Sequence, residues 1–142
     1  MGAMEIKEML SDEEVDATCD VMRQLRTQLE PGEYVERVKR IRDGGYRLVA
    51  VIEDGRVHCV AGFRVQEFLY AGRHLYVDDL ITDGDVRSSG HGKMMLGWLV
   101  EEARRNGCEQ FHLDSGVQRG EAHRFYFREG MRISSFHFFR EI

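Results

Sequence analysis

A glycine-rich segment between a predicted strand and a predicted helix is the first place where this sequence could do chemistry. It reads V-R-S-S-G-H-G-K over residues 86–93, with Arg87 and Lys93 on either side of Gly90 and Gly92. The first amides of a helix lack intrahelical acceptors, and together with the helix dipole they attract anions such as pyrophosphate. Both glycines permit a positive φ and a close approach of the backbone to a ligand. The segment therefore predicts a phosphate-binding loop, and the alternative is a glycine-rich turn without a ligand.

Two well-known nucleotide-binding motifs do not fit this segment. A Walker loop needs the pattern G-x-x-x-x-G-K-[ST], but Met94 follows Lys93 and no glycine stands five positions before Gly92. A dinucleotide fingerprint needs a third glycine, and Met95 occupies that position. The sequence thus argues against both of these nucleotide-binding classes.

Two adjacent acids, Asp78 and Asp79, interrupt an apolar strand that reads L-Y-V-D-D-L over residues 75–80. Successive residues of a strand face opposite sides, so one carboxylate should face the covered side of the sheet unless a bulge intervenes. Carboxylates are seldom buried without a partner. The pair therefore predicts a functional site, and the alternative is a structural pair bonded to Arg73, His74 or neighbouring amides.

Two segments together resemble one enzyme family. Residues 87–92 match R-x-x-G-x-G, and residues 122–131, A-H-R-F-Y-F-R-E-G-M, are similar to A-x-x-x-Y-x-x-x-G-F. These are the acyl-CoA motifs of the GCN5-related N-acetyltransferases, the GNAT family. The order of predicted elements is also that of the family, so the resemblance covers nearly the whole chain.

The resemblance implies acetyl-CoA as the co-substrate and assigns residues to it. It implies that Tyr126 protonates the departing CoA thiolate, although helical geometry alone leaves open a core aromatic beside Phe125 and Phe127. It also implies that the strand before the loop pairs with pantetheine through its backbone, and that the loop holds the CoA pyrophosphate. The strand positions are Leu80, Ile81 and Thr82, and the loop positions are Arg87, Ser88, Ser89, Gly90, His91, Gly92 and Lys93.

The resemblance also suggests roles for the two acids. Residues 76–79 are similar to the Y-x-E-D segment of polyamine-type members, which makes Asp78 the base, directly or through a water, and Asp79 the group that binds a substrate ammonium. The side chain of Asp78 is one methylene shorter than that of the glutamate it replaces. The chain departs from the family where an asparagine often contacts CoA, and Gln118 or Arg119 would have to serve instead.

The expected function is therefore acetyl-CoA-dependent N-acetylation of a primary amine, by direct attack in a ternary complex. We expect a small cationic amine as the acceptor, because the two adjacent acids and the net negative chain favour a cation. One alternative is acetylation of a protein N-terminus or lysine. Another is a non-catalytic acyl-CoA sensor, which would have no need of Tyr126.

The elements predicted to position these residues follow the order β-α-α-β-β-β-α-β-α-β in an α/β fold. Its first part is antiparallel, and a parallel pair flanks the helix that begins at the glycine-rich loop. Ser11 and Glu14 form a predicted capping box, Pro31 opens a second helix, and Asp54-Gly55 makes a hairpin turn. Strands are predicted over residues 5–10, 46–53, 56–69, 73–82, 110–114 and 131–140, and helices over 11–29, 31–43, 90–106 and 121–129.

Composition bounds the remaining possibilities. The 142 residues suit one domain, with residues 1–3 as a candidate addition before a native start at Met4. A net charge of −5 does not favour nucleic acid, and with no run of eighteen apolar residues and no signal peptide we expect no membrane association. Three cysteines without a C-x-x-C pair predict buried thiols in a reduced, cytoplasmic setting. No histidine pair has metal-binding helical spacing, so no metal site is predicted, and homodimerisation is left open.

Overall fold

One five-stranded sheet runs through the part of the chain that the computed structural model describes, residues 3–87 and 89–142. Its strands lie in chain order, and the first four are antiparallel while β4 and β5 are parallel. This confirms the predicted mixed α/β fold. The strands are β1 Glu5–Glu8, β2 Arg47–Glu53, β3 Arg56–Phe68, β4 Gly72–Thr82 and β5 Gln110–Leu113.

The helices of the described residues are α1 Asp12–Ala17, α2 Cys19–Leu25, α3 Tyr34–Arg42, α4 His91–Arg105 and α5 Gly120–Arg128. The predicted capping box opens α1: the Ser11 side chain accepts from the Glu14 amide at 3.1 Å, and the Glu14 carboxylate accepts from the Ser11 amide at 3.0 Å. Pro31 begins a short 3₁₀ turn that leads into α3. These local signals were readable because cap and turn chemistry depends on neighbouring residues alone.

The first helix is divided, where one continuous helix was predicted. Thr18 separates α1 from α2, and its hydroxyl lies 2.7 Å from the carbonyl oxygen of Val15 and 2.7 Å from the Tyr34 hydroxyl. A threonine that bonds back to the preceding turn competes with the helix ladder. The buried stripe survives the break, because Val15, Cys19 and Met22 all face the core.

The hairpin between β2 and β3 turns where the sequence predicted. Asp54 and Gly55 have φ of 54° and 71°, the left-handed pair that a two-residue hairpin turn requires. Behind the turn, Val49 and Val51 are fully buried, and Leu48 and Val60 pack with residues of the first three helices. One part of the core therefore lies between the sheet and α1–α3, and Met95, Leu96 and Leu99 of α4 are buried as well.

Two irregularities interrupt the regular strand alternation. In the β2–β3 pair, Val51 opposes Cys59 while Ile52 opposes Val57, so His58 has no partner of its own. In the β3–β4 pair, Gly62 opposes Asp79 while Phe63 opposes Val77, so Asp78 is the extra residue. A β-bulge of this kind re-aims side chains locally.

The chain divides into two compact units, Met1–His112 and Leu113–Ile142. In the second unit, α5 is followed by residues 131–142 without helix or strand, so the strand predicted over 131–140 is wrong. Five large apolar side chains of residues 131–142 are 67% to 115% exposed: Ile133, Phe136, Phe138, Phe139 and Ile142. A strand requires backbone pairing with a neighbour, and an alternating pattern carries no information about that neighbour.

No helix among residues 3–87 and 89–142 has the length and apolar character needed to cross a bilayer.

Candidate active site

The glycine-rich loop ends in a backbone shape suited to an anion. Gly90 is the N-cap of α4 in the left-handed conformation, with φ of +85°, and the amide of Met94 makes the first intrahelical bond, to Gly90, at 3.0 Å. The amides of His91, Gly92 and Lys93 precede that bond and have no intrahelical acceptor.

Positive side chains accompany these amides. The side chains of Arg87 and Lys93 are exposed, as is Ser89. Ser88, also assigned to this loop, lies outside the described residues. The helix dipole, the free amides and two cations together fit a pyrophosphate.

Asp83 fastens the start of this loop to the rest of the first unit. It is 6% exposed and accepts from the Gln24 amide at 3.1 Å, the Asp85 backbone at 3.1 Å and the Arg56 guanidinium at 2.8 Å. The hydrogen bond from Gln24, followed by that from Asp85, lowers the pKa of Asp83. Asp83 therefore stays ionised at neutral pH and holds the loop entry in one arrangement.

Strand β5 is much shorter than β4, the strand beside which it lies. Strand β5 has four residues against eleven in β4, and the amide of Glu109, just before β5, donates to the carbonyl of Arg73 at 2.8 Å. A parallel strand of that length starting there flanks only the first half of β4. Strand β5 therefore does not extend beside residues 80–82. Pantetheine could pair with the backbone of these residues only if β5 does not already do so.

Asp78, the bulge residue, is held by an arginine. Its carboxylate accepts two hydrogen bonds from Arg64, from Nε at 3.1 Å and from Nη2 at 2.6 Å. The hydrogen bonding to Asp78, together with the negative charge of its carboxylate, raises the pKa of Arg64. Each carboxylate oxygen keeps a second acceptor position, so Asp78 can still receive a hydrogen bond from a water.

Asp79 lies among different partners. It accepts from Arg26 Nε at 2.8 Å and from the Tyr46 hydroxyl at 2.7 Å, and its side chain is 14% exposed. Arg26 also donates to the backbone carbonyl of Asp78 at 2.7 Å. The partners of the two acids are therefore Arg26, Arg64 and Tyr46, not Arg73 or His74.

Tyr46 reaches Asp79 across Gly62, because that position has no side chain. A Cβ on Gly62 would lie 1.7 Å from the Tyr46 hydroxyl oxygen. Burial, with the neighbouring Asp79 carboxylate, raises the pKa of Tyr46 well above 10.0, so the phenol keeps its proton and donates it. Gly62 thus creates the space in which the Tyr46–Asp79 contact forms.

Replacing Gly62 by alanine should therefore displace Tyr46 and destabilise the protein by about 1–3 kcal/mol, the usual cost of overpacking. Urea unfolding measures this change. Gly97→Ala is the matched control, because a Cβ on Gly97 meets nothing within 4 Å and a helical glycine-to-alanine change usually adds about 0.5–1 kcal/mol. Equal stability of Gly62→Ala and the wild-type chain would contradict the role given to Gly62.

A pocket of about 150 Å³ opens beside Asp79. It lies within the first unit, between the helices α2 and α3 and the sheet. Its polar lining includes Arg26, Gln28, Arg37, Tyr46 and Asp79, and its apolar lining includes Met22, Leu29, Val38 and Ile41. Two arginines and one carboxylate thus line the pocket, and one of the arginines, Arg26, pairs with Asp79.

Tyr126 belongs to the second unit. It is half-buried on α5, its ring centroid lies 5.5 Å from that of Phe125, and its carbonyl accepts from the Met131 amide at 3.0 Å. Phe127 on the same helix is 53% exposed. Arg119 is the N-cap of α5 and directly follows Gln118. The second motif, residues 122–131, thus begins on α5 and extends three residues beyond its end.

Sequence patterns did not indicate which residues hold the two acids, namely Arg26, Arg64 and Tyr46. Arg26 is 53 positions from Asp79, and Arg64 is 14 positions from Asp78. Periodicity assigns a residue to a face but does not identify its partner. Gly62 was the one available signal, since a glycine inside a strand often marks a close approach.

Comparisons with known proteins identify the family of this chain. The model of the acetyltransferase (GNAT) family matches residues 6–131. An uncharacterized N-acetyltransferase of Bacillus subtilis, YhdJ, is 34% identical over 135 residues, 94% of this chain and 95% of that protein. The aminoalkylphosphonate N-acetyltransferase of Salmonella typhimurium is 33% identical over 94 residues, 66% of this chain and 60% of that protein.

Among solved structures, an aminoglycoside N-acetyltransferase in complex with CoA superposes with a TM-score of 0.86. It is 11% identical, and the match covers all of this chain and 96% of the other. At that identity the likeness shows the fold alone. The family match over most of the chain and the full-length relationship to the Bacillus protein show that this chain is an acyltransferase of the GNAT family.

Proposed function

We propose that this protein transfers an acetyl group from acetyl-CoA to the primary amine of a small molecule, by direct attack in a ternary complex. The observation that carries the proposal is the open first turn of α4 behind left-handed Gly90, in a chain of this family. Acetyl-CoA supplies an activated thioester, so the protein's task is to orient the two substrates and move one proton in each direction.

CoA would be held by backbone groups and two cations. The pyrophosphate would lie against the amides of the α4 N-terminus, with the cations alongside, and pantetheine would pair with the C-terminal end of β4. The residues proposed for the pyrophosphate are Arg87, Ser88, Ser89, Gly90, His91, Gly92 and Lys93, and those for pantetheine are Leu80, Ile81 and Thr82.

The acceptor amine must lose a proton before it attacks. A primary amine has a pKa of roughly ten, so it arrives as an ammonium ion that Asp79 would attract. Asp78 would take the proton through a water, because Arg64 already occupies one acceptor position on each of its oxygens. Tyr126, at the matched position of the second motif, would protonate the leaving thiolate.

The charged side chains around the pocket suggest which groups the acceptor amine carries. The sequence led us to expect a cationic amine, and Asp79 suits its ammonium end. Arg37 also lines the pocket, and within residues 3–87 and 89–142 it has no ion pair. The Salmonella relative is named for aminoalkylphosphonates, which carry an amine and an anion. We therefore propose an amine that also bears a phosphonate, phosphate or carboxylate group.

A turnover screen tests this function. Acetyl-CoA is mixed with paired amines that differ only in an anionic group, and free thiol is measured. Thiol release with the small amines, fastest with the anionic members, is the expected result. Turnover confined to peptides would favour a protein acetyltransferase, and acetyl-CoA binding without thiol release from any amine would favour a sensor.

Arg37→Gln should raise KM for the anionic amines about tenfold, the scale of one hydrogen bond to a charged group. It should leave KM for the matched amines without an anion nearly unchanged, and kcat should change less than KM. Arg40→Gln is the control, since Arg40 is an exposed arginine of the same helix outside the pocket lining. An equal KM effect on both amine classes would exclude Arg37 from anion recognition.

A further inference from the structure

Three side chains from separate parts of the first unit meet beside the start of α4. Glu53 ends β2, His58 is the bulge residue of β3, and His91 is the first residue of α4. One ligand atom from each can be chosen so that all three lie within 4.8 Å of one another. His91 Nε2 lies 3.7 Å from a carboxylate oxygen of Glu53.

Three of the four imidazole nitrogens in this cluster lack a hydrogen-bond partner among the residues that the structure describes. His91 is 4% exposed, and among residues 3–87 and 89–142 neither of its ring nitrogens has a hydrogen-bond partner. The same holds for Nδ1 of His58, which is also buried. Buried polar atoms are nearly always satisfied in folded proteins, so three such nitrogens in one place call for an unseen partner.

The geometry does not supply that partner from the protein itself. The two imidazole rings lie with centroids 4.8 Å apart and an angle of 40° between their planes. The Glu53 carboxylate is too far from His91 for a hydrogen bond. The neighbouring cation, Arg56, is engaged by Asp83 and Asp85.

We propose that Glu53, His58 and His91 bind a divalent cation of the zinc class. Two imidazoles and a carboxylate are a common zinc ligand set, with a water completing the tetrahedron. Bonds of roughly 2.0–2.1 Å would place ligand atoms about 3.4 Å apart in such a site. The 3.7 Å between His91 and Glu53 is close to that spacing, and Glu53 is only half-buried, so its side chain can turn inward.

The bound ion would join the β2–β3 hairpin to the first turn of α4. It would hold His91, a residue of the glycine-rich loop, from the side of the sheet. The role is structural, and its test does not depend on the proposed acetyl transfer. The proposed site differs from our sequence prediction of no metal site, which considered only histidines at helical spacing, whereas His58 and His91 are 33 positions apart.

Equilibrium dialysis of the chelator-treated full chain against zinc tests the site, with metal analysis and a melting curve as readouts. We expect one zinc ion per chain and a higher Tm in its presence. Glu53→Gln and His58→Ala should each weaken binding by at least about a hundredfold, since changes outside the first coordination shell already cost ten- to a hundredfold. His137→Ala, which removes a histidine 67% exposed at its side chain, is the control and should bind as the wild-type chain does.

Two results would overturn the proposal. One is the absence of stoichiometric zinc binding by the wild-type chain. The other is binding that persists in both Glu53→Gln and His58→Ala, which would place the metal at surface histidines. Because Glu53→Gln keeps the size of the side chain, its melting curve without metal shows whether a loss of binding reflects unfolding.

Discussion

Replacing Gly92 by aspartate should abolish the stabilisation that acetyl-CoA gives the wild-type protein. A ligand that binds only the folded state adds about 2.7 kcal/mol at a hundred times its Kd, so wild-type Tm should rise clearly with acetyl-CoA. Aspartate at the second residue of α4 would put bulk and a negative charge where the pyrophosphate is proposed to lie. The fold should survive, because an acid in the first turn of a helix is favourable.

The control for this change lies in the same helix. Gly97→Asp introduces the same side chain at an exposed position of α4 where a Cβ meets no other atom within 4 Å. It should keep the full acetyl-CoA shift. Thermal melting of the three proteins with and without acetyl-CoA gives the comparison. If acetyl-CoA raised the Tm of Gly92→Asp as much as that of the wild-type chain, the α4 N-terminus would not be part of the cofactor site.

The second large effect is expected from Tyr126→Phe. Loss of the phenol proton should lower kcat by about a hundredfold or more, the usual contribution of one general acid. The acetyl-CoA shift in Tm should remain, because the substitution leaves the ring and the α4 loop in place. Steady-state kinetics together with melting curves separate these two effects.

Tyr70→Phe provides the matched control, since Tyr70 is 77% exposed between β3 and β4. Its kcat should equal that of the wild-type chain. If Tyr126→Phe also retained wild-type kcat, the thiolate would have to take its proton from another donor, such as water, and Tyr126 would be a packing residue beside Phe125.

Local features of this fold were predictable and long-range ones were not. The Ser11–Glu14 capping box and the Asp54-Gly55 turn are set by residues within three positions of each other, and both formed as predicted. The break at Thr18 depends in part on Tyr34, sixteen positions away. The strand predicted over 131–140 needed a pairing partner that no pattern specifies.

The two bulges explain why the site itself was only partly predictable. Regular strand alternation predicts that Asp78 and Asp79 lie on opposite faces of the sheet. Asp78 is an extra residue in the β3–β4 pairing, so the alternation is broken there. The alternation is also broken at His58, which has no residue opposite it in β2, although its neighbours Val57 and Cys59 do. Register shifts arise from how strands match across a sheet, so a single strand does not reveal them.

The contact between Tyr46 and Gly62 also has an evolutionary consequence. While Tyr46 is present, any residue larger than glycine at position 62 collides with its ring, so this substitution should be rejected when it comes first. Once Tyr46 has become a small residue, position 62 is free to change and Asp79 has lost one of its donors. The order of substitutions therefore matters. A lineage that first replaces Tyr46 changes the surroundings of Asp79 before it changes position 62 of β3.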